Sequence, residues 1–185
     1  MLCFCMKPII VIPTYNEKDN ITRLLQEIFA IAIFGLEVVI VDDNSPDGTA
    51  AVVQETFSDY PVHIIRREKK LGLGSAYIVG FKQALALGAT HIFQMDADFS
   101  HDPKDVPRLL SAAKKSDVVI GSRRVAGGRI VGWNIVRHCT SFGATVLARL
   151  FLGIVVKDVT AGFRCIKKEV LLAINLDGIK LLFSK

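Results

Sequence analysis

Three features of the 185-residue chain predict an α/β fold with a mostly parallel sheet flanked by helices. Short apolar runs alternate with stretches of helical period from residue 9 to residue 120. The second run, Glu37 followed by Val38, Val39, Ile40 and Val41, is almost wholly apolar, as a strand covered on both faces must be. Carboxylates and turn formers gather directly behind these runs, and open α/β sheets bind ligands beyond the carboxyl ends of their strands.

Residues 9–13 read as the first strand. Residues 20–34 read as a helix, because Ile21, Leu24, Leu25, Ile28 and Ile31 share one face at a period near 3.6. Residues 37–41 form the second strand. The turn Asn44-Ser45-Pro46-Asp47-Gly48 leads to a helix over 49–57. A third strand spans 62–65, a helix 75–87, a fourth strand 91–95, and a helix 103–114 with Pro103 near its N-terminus. A fifth strand spans 118–120. Strands that alternate with helices imply parallel pairing through right-handed crossovers.

Composition bounds the function. Hydrophobic residues make up 51% and charged residues 22%, which excludes disorder, collagen and a coiled coil. The length suits one domain, or one with a small appendage. A net charge of +5 permits an anionic partner without choosing among nucleotide, lipid phosphate, membrane surface and nucleic acid. The basic residues are not interleaved with aromatics in one patch, so nucleic acid is not expected as a partner. Cys3, Cys5, Cys139 and Cys165 lack the spacing of a zinc site and read as reduced thiols of a cytoplasmic protein. Pro8 and Pro13 interrupt the apolar N-terminus, which also lacks a basic start, so it does not read as a signal peptide. The longest later apolar stretch, 141–156, contains Arg149 and is short for a membrane span. Membrane contact is therefore expected to be peripheral or through a partner. Residues 135–156 fit two readings, a helix at the bilayer interface and a buried core helix.

The strand ends carry the chemistry. Behind the first strand stand Pro13-Thr14-Tyr15-Asn16-Glu17, where Tyr15 and Glu17 either face a ligand or merely lead into a helix whose dipole favours Glu17. Behind the second stand Asp42-Asp43-Asn44-Ser45, which serve turn formation or accept hydrogen bonds from a base edge or a ribose. Behind the fourth stand Asp96-Ala97-Asp98, then Phe99-Ser100-His101-Asp102-Pro103. Asp102 suffices to cap the next helix, which leaves Asp96 and Asp98 free to converge on a divalent cation. Hard carboxylate oxygens of this kind suit Mg²⁺ or Mn²⁺ held jointly with substrate phosphates. Behind the fifth stand Gly121-Ser122-Arg123-Arg124, which either form a solvated basic surface or bind phosphate oxygens, and the strand-end position of Arg123 favours the second reading for it. Leu71-Gly72-Leu73-Gly74-Ser75 is part of a glycine-rich fingerprint but lacks the third glycine and an immediately preceding strand. No G-x-x-x-x-G-K-[ST] or H-E-x-x-H is present.

These segments, together with Lys69-Lys70 before the glycines, follow an order that closely resembles the polyprenol (dolichol) phosphate mannosyltransferases of the family 2 inverting glycosyltransferases. The resemblance runs from about Lys7 to about Asn175. It implies the GT-A nucleotide-sugar fold over residues 7–175, incomplete at its C-terminus, with a divergent tail over 176–185. It implies GDP-mannose as donor, a polyprenyl or dolichyl phosphate lipid as acceptor, and Mg²⁺ or Mn²⁺ as cofactor. By position, Pro13, Tyr15, Glu17, Val41 and Asp43 match the nucleoside-binding set. Asp96, Ala97 and Asp98 match the D-x-D motif, with Asp98 and Asp96 as metal ligands and Ser100 where a relative offers Gln. Arg123, Arg137 and Ser141 match positions that hold the acceptor phosphate. Asp98 and Arg123 would serve catalysis directly. An acceptor phosphate is already anionic at neutral pH, so attack with inversion requires no strong general base. The resemblance places the protein at the cytoplasmic face of a membrane, with a membrane-anchoring partner.

Relatives continue beyond Asn175 with a G-Y-x-F-Q-like stretch and a later D-R-x-x-G-x-S-K-like loop, both absent here. Weak or no transfer by the chain as given is the resulting expectation. Competing readings are a UDP-sugar transferase to a lipid phosphate, a non-catalytic nucleotide-sugar-binding remnant, and a nucleotidyltransferase. The Pro13-Thr14-Tyr15-Asn16-Glu17 and Asp42-Asp43-Asn44-Ser45 runs together argue against the last.

Overall fold

A computed structural model describes residues 6–122, 143, 151, 158 and 160–178. Strands β1 (Pro8–Thr14), β2 (Glu37–Asp42), β3 (Val62–Arg66), β4 (His91–Gln94), β5 (Val118–Ile120) and β6 (Arg164–Lys167) form one sheet among these residues. The strand order is β3-β2-β1-β4-β6-β5. β3, β2, β1 and β4 pair in parallel, whereas β6 runs antiparallel to both β4 and β5. Helices are α1 (Lys18–Ala30), α2 (Thr49–Thr56), α3 (Leu73–Ala86), α4 (Val106–Ala112) and α5 (Lys168–Ala173), with a 3₁₀ turn over Pro103–Asp105.

Alternation along the strands splits the core into two layers. Ile10, Ile12, Val38, Ile40 and Phe93 point to the face covered by α1, α2 and α4, through Ile21, Leu24, Leu25, Ile28, Val53, Val106 and Leu109. Ile9, Val11, Val39, Val41 and Ile92 point to the opposite face, covered by α3 and α5 through Ala76, Tyr77, Phe81, Ala84 and Leu171. Both faces are buried, which is why the central strands read as continuous apolar runs. α3 lies very close to the sheet: a Cβ on Gly80 would fall 2.2 Å from Val11 Cγ1 and 3.1 Å from Val41 Cγ2.

The predicted elements stand with shifted ends. α1 stops at Ala30 rather than at residue 34, where the backbone turns left-handed at Ala32 (φ +54°) and Gly35 (φ +71°). The helix expected over 103–114 opens as a 3₁₀ turn and becomes α-helical from Val106 to Ala112. Neither β6 nor α5 is signalled by the sequence pattern. β6 is four residues long, and neither its length nor its pattern separates it from a loop. Among the described residues no helix is long and apolar enough to cross a membrane.

Candidate active site

The strand order reverses between β1 and β4, and open α/β sheets bind ligands beyond the carboxyl ends of their strands at such a point. The loops after β1, β2 and β4 meet there. Register pairs Pro13 with Val41 and Thr14 with Asp42, which aligns the ends of β1 and β2. Val41 is fully buried, and Asp43 donates its backbone N–H to Thr14 O at 3.0 Å.

The two adjacent carboxylates behind β2 have different duties. Asp42 is buried and accepts from Thr14 Oγ1 (2.9 Å), Ser45 Oγ (2.5 Å) and the Ser45 N–H (2.9 Å). Both its oxygens are occupied, so it builds the turn. Asp43 is buried too, but it pairs with Arg67, whose Nε and Nη2 both reach Oδ1. Of the two readings of this pair, turn formation therefore belongs to Asp42 and leaves Asp43 available to a ligand.

The β1–α1 loop is held by side chains of the β2–α2 loop. Three successive amides, Asn16, Glu17 and Lys18, donate to Ser45 Oγ (3.1 Å), Thr49 Oγ1 (3.0 Å) and Asp47 Oδ2 (3.1 Å). Asn16 and Asn44 sit at φ +60° and +57°, a region Asn tolerates better than most residues. Glu17 precedes α1 and accepts from Asn20 Nδ2 at 2.9 Å. Tyr15 is exposed, and the Lys70 ammonium lies 3.8 Å from its ring centroid.

Behind β4 the acidic triplet divides its contacts. Ala97 is buried. Asp96 Oδ1 accepts the Tyr77 hydroxyl at 2.6 Å, and Oδ2 lies 3.9 Å from His101 Nε2. The Asp96 N–H donates to His101 Nδ1 at 3.0 Å, which leaves the His101 proton on Nε2. The His101 ring stacks on Phe163, just ahead of β6, at 5.1 Å and 15°. Gly162 leaves room for this packing, since a Cβ there would stand 3.0 Å from His101 Cε1 and 3.2 Å from Asp96 Oδ2. Asp98 is exposed and accepts from the Ser100 N–H at 2.9 Å. Burial, the largest single influence, acts to raise its pKa, but the hydrogen bonds from Ser100 together with the nearby His101 hold the carboxyl below the usual carboxylate range. Phe99 between them adopts φ +58°, uncommon for a bulky residue, with the Arg23 guanidinium 5.0 Å from its ring centroid. Asp102 caps the following turn as expected, accepting from the Lys104 N–H at 2.9 Å.

An accessible ionised carboxylate at Asp98, with Ser100 beside it, is a hard-oxygen set that fits Mg²⁺ or Mn²⁺. Asp96 is turned toward Tyr77 and His101. Among the described residues no three His, Cys, Asp or Glu side chains cluster as a self-sufficient metal site, so further ligands would come from substrate phosphates or solvent. Arg123, Arg137 and Ser141, and most of the apolar stretch 135–156, lie outside the described residues. Arg67, Tyr77, His101 and Gly162 join this region without being expected there from the sequence. Arg67 directly follows β3, so the reasoning that singled out Arg123 behind the fifth strand applies to it equally.

The mixed six-stranded sheet flanked by helices places the chain among GT-A-like folds, as its likeness to mannosyl-3-phosphoglycerate synthase of Rubrobacter xylanophilus shows at a TM-score of 0.69 and 20% identity, covering 91% of this chain and 55% of the other. The chain belongs to glycosyl transferase family 2, whose model matches residues 9–174. Undecaprenyl-phosphate mannosyltransferase of Micrococcus luteus is 42% identical over 176 residues, covering 95% of this chain and 72% of that protein. Dolichol-phosphate mannosyltransferase of Pyrococcus furiosus is 42% identical over 185 aligned residues, covering 97% of this chain and 52% of that protein. The fold matches a mannosyltransferase from Pyrobaculum calidifontis, solved with GDP-Man and Mn²⁺, at a TM-score of 0.62 and 18% identity. That match covers 92% of this chain and 47% of the other. The chain thus spans about half to three quarters of the length of these proteins.

Proposed function

We propose that the protein transfers mannose from GDP-mannose to a polyprenyl phosphate such as dolichyl phosphate, with inversion at the anomeric carbon. The observation that carries this reading is 42% identity to an undecaprenyl-phosphate mannosyltransferase across 95% of the chain. Tyr15 and Asp43 then meet the nucleoside, with Pro13, Glu17 and Val41 shaping that pocket. Asp98, with Ser100 beside it and Asp96 behind, holds the divalent cation. When bound, Mg²⁺ or Mn²⁺ stabilises negative charge on the departing diphosphate. Arg123, Arg137 and Ser141 hold the acceptor phosphate and offset the repulsion between two anions. Arginines suit this task because their planar fork matches phosphate oxygens. The lipid acceptor brings the protein to the cytoplasmic face of a membrane, through its own surface or an anchoring partner.

Calorimetry of GDP binding with and without Mn²⁺, beside UDP and an Asp98→Ala variant, tests the donor site. Metal-dependent binding of GDP in preference to UDP, lost in Asp98→Ala, is the expected result. A folded chain that binds UDP better than GDP, or neither nucleotide, overturns it.

A further inference from the structure

We propose that Arg67 is a positioning residue of the nucleotide site: it holds Asp43 by one oxygen and leaves the other to the ligand, and it ties the glycine-rich loop 71–74 to that carboxylate. This inference rests on the nucleotide-sugar reading above.

Arg67 and Asp43 are each 7% exposed at the side chain. Arg67 is itself fixed at the backbone, where its N–H donates to Asp42 O at 2.8 Å and prolongs the β2–β3 ladder. Its Nε and Nη2 both reach Asp43 Oδ1. Nη1 donates to Ser75 Oγ at 2.6 Å, and Nη2 also reaches Gly72 O at 3.3 Å. Gly72 directs that carbonyl from φ +91° and ψ 153°, a conformation close to glycine-only. One guanidinium thus joins the ends of β2 and β3 to the start of α3.

The other carboxylate oxygen, Asp43 Oδ2, accepts no hydrogen bond from the described residues. An ion-paired carboxylate is acceptor-only, so Oδ2 can meet only a donor on the ligand. Rotation about the Asp43 side chain would exchange the two oxygens. The two N–H groups converging on Oδ1 oppose that rotation, which a lysine, lacking the planar fork, does less well. Because the same guanidinium carries the loop, a ligand that engages Asp43 also orders residues 71–74.

The test uses the whole chain and GDP with Mn²⁺ as probe, measured by calorimetry. Arg67→Met and Asp43→Asn are each expected to weaken GDP binding about tenfold or more, as for a lost hydrogen bond to a charged group. Arg67→Lys should fall between Arg67→Met and the unaltered chain. The double variant Arg67→Met/Asp43→Asn should match either single one, because the two residues act as a unit. Amide hydrogen exchange over 71–74 should quicken in Arg67→Met and in Ser75→Ala. Mn²⁺ binding without nucleotide, read by electron paramagnetic resonance, should stay unchanged, whereas general loosening of the domain would weaken it too. If circular dichroism shows that Arg67→Met does not fold, Arg67→Lys carries the comparison. A folded Arg67 variant that binds GDP like the unaltered chain, while Asp43→Asn loses it, overturns this inference and leaves the donor reading intact. Additive losses in the double variant overturn the coupling. An unaltered chain that binds no nucleotide overturns both.

Discussion

Tyr77 donates its hydroxyl to Asp96 Oδ1 at 2.6 Å, so a helix on one face of the sheet sets the carboxylate that follows β4. Burial, reinforced by the Asp96 charge, pushes the Tyr77 phenol far above its ordinary value of 10.0. The group therefore remains a donor at every working pH. Tyr77→Phe keeps the ring, which stacks on Phe81 at 5.8 Å, and removes only the hydroxyl, which donates to Asp96 and accepts from Gln94. It should lower stability by about 1–2 kcal/mol, read by denaturant unfolding, and weaken Mn²⁺-dependent GDP binding. Unchanged values of both would mean that His101 alone sets Asp96.

Gly80 tests the packing that places α3. Its missing side chain admits Val11 and Val41, both fully buried. Gly80→Ala should destabilise the protein by about 1–3 kcal/mol, since β1 cannot retreat from α3 without disturbing β2 and β4. Urea unfolding measures the loss. A gain in stability, as expected from helix propensity alone, would show that α3 sits farther from the sheet.

Glu37 predicts the response to acid. Burial, the largest single influence, acts to raise its pKa, but the hydrogen bonds and charges of Lys7 and His63 together set it below the 4.5 of a free glutamate. Lys7 Nζ lies 2.6 Å from Oε1 and His63 Nε2 lies 2.8 Å from Oε2. A carboxyl with a depressed folded pKa stabilises above its unfolded value, and that contribution drains away as pH falls through the folded one. The melting temperature should therefore fall on acidification below about pH 4.5, and Glu37→Gln should flatten that limb. Identical acid limbs in the two proteins would count against the pairing.

Cys165 should resist alkylation. It lies on β6, fully buried, and burial pushes its thiol up to about 12. Thiolate is the reactive form, so iodoacetamide at neutral pH should leave the native residue unlabelled and modify it in urea. Peptide mapping by mass spectrometry distinguishes Cys165 from the other three cysteines. Rapid native labelling would show that β6 opens readily from the sheet.

The sequence disclosed the parallel half of the sheet well, because β1 and β2 are buried on both faces and their apolar runs are unbroken. It disclosed β6 poorly: Arg164 and Lys167 bracket two apolar residues, a pattern any loop can share. That gap hid part of the site, since Phe163 and Gly162 lie just ahead of β6 and support His101. The residues Asp42 and Asp43 stood out together, but their opposite duties depend on Arg67, 24 positions away from Asp43. Contacts of that range leave no local periodicity. Tyr77 escaped for a similar reason: within α3 it reads as one more core aromatic, and its hydroxyl matters only because Asp96 lies above it.

The stitching of residues 16–18 to Ser45, Asp47 and Thr49 makes two sequence segments one mechanical part. Neither segment is a modular unit on its own. A chimera that imports the first loop from a relative must import the second with it, or three main-chain donors beyond the strand ends lose their acceptors. Paired grafts should keep the parent's stability, and single grafts should lose it even where every imported residue is individually conservative.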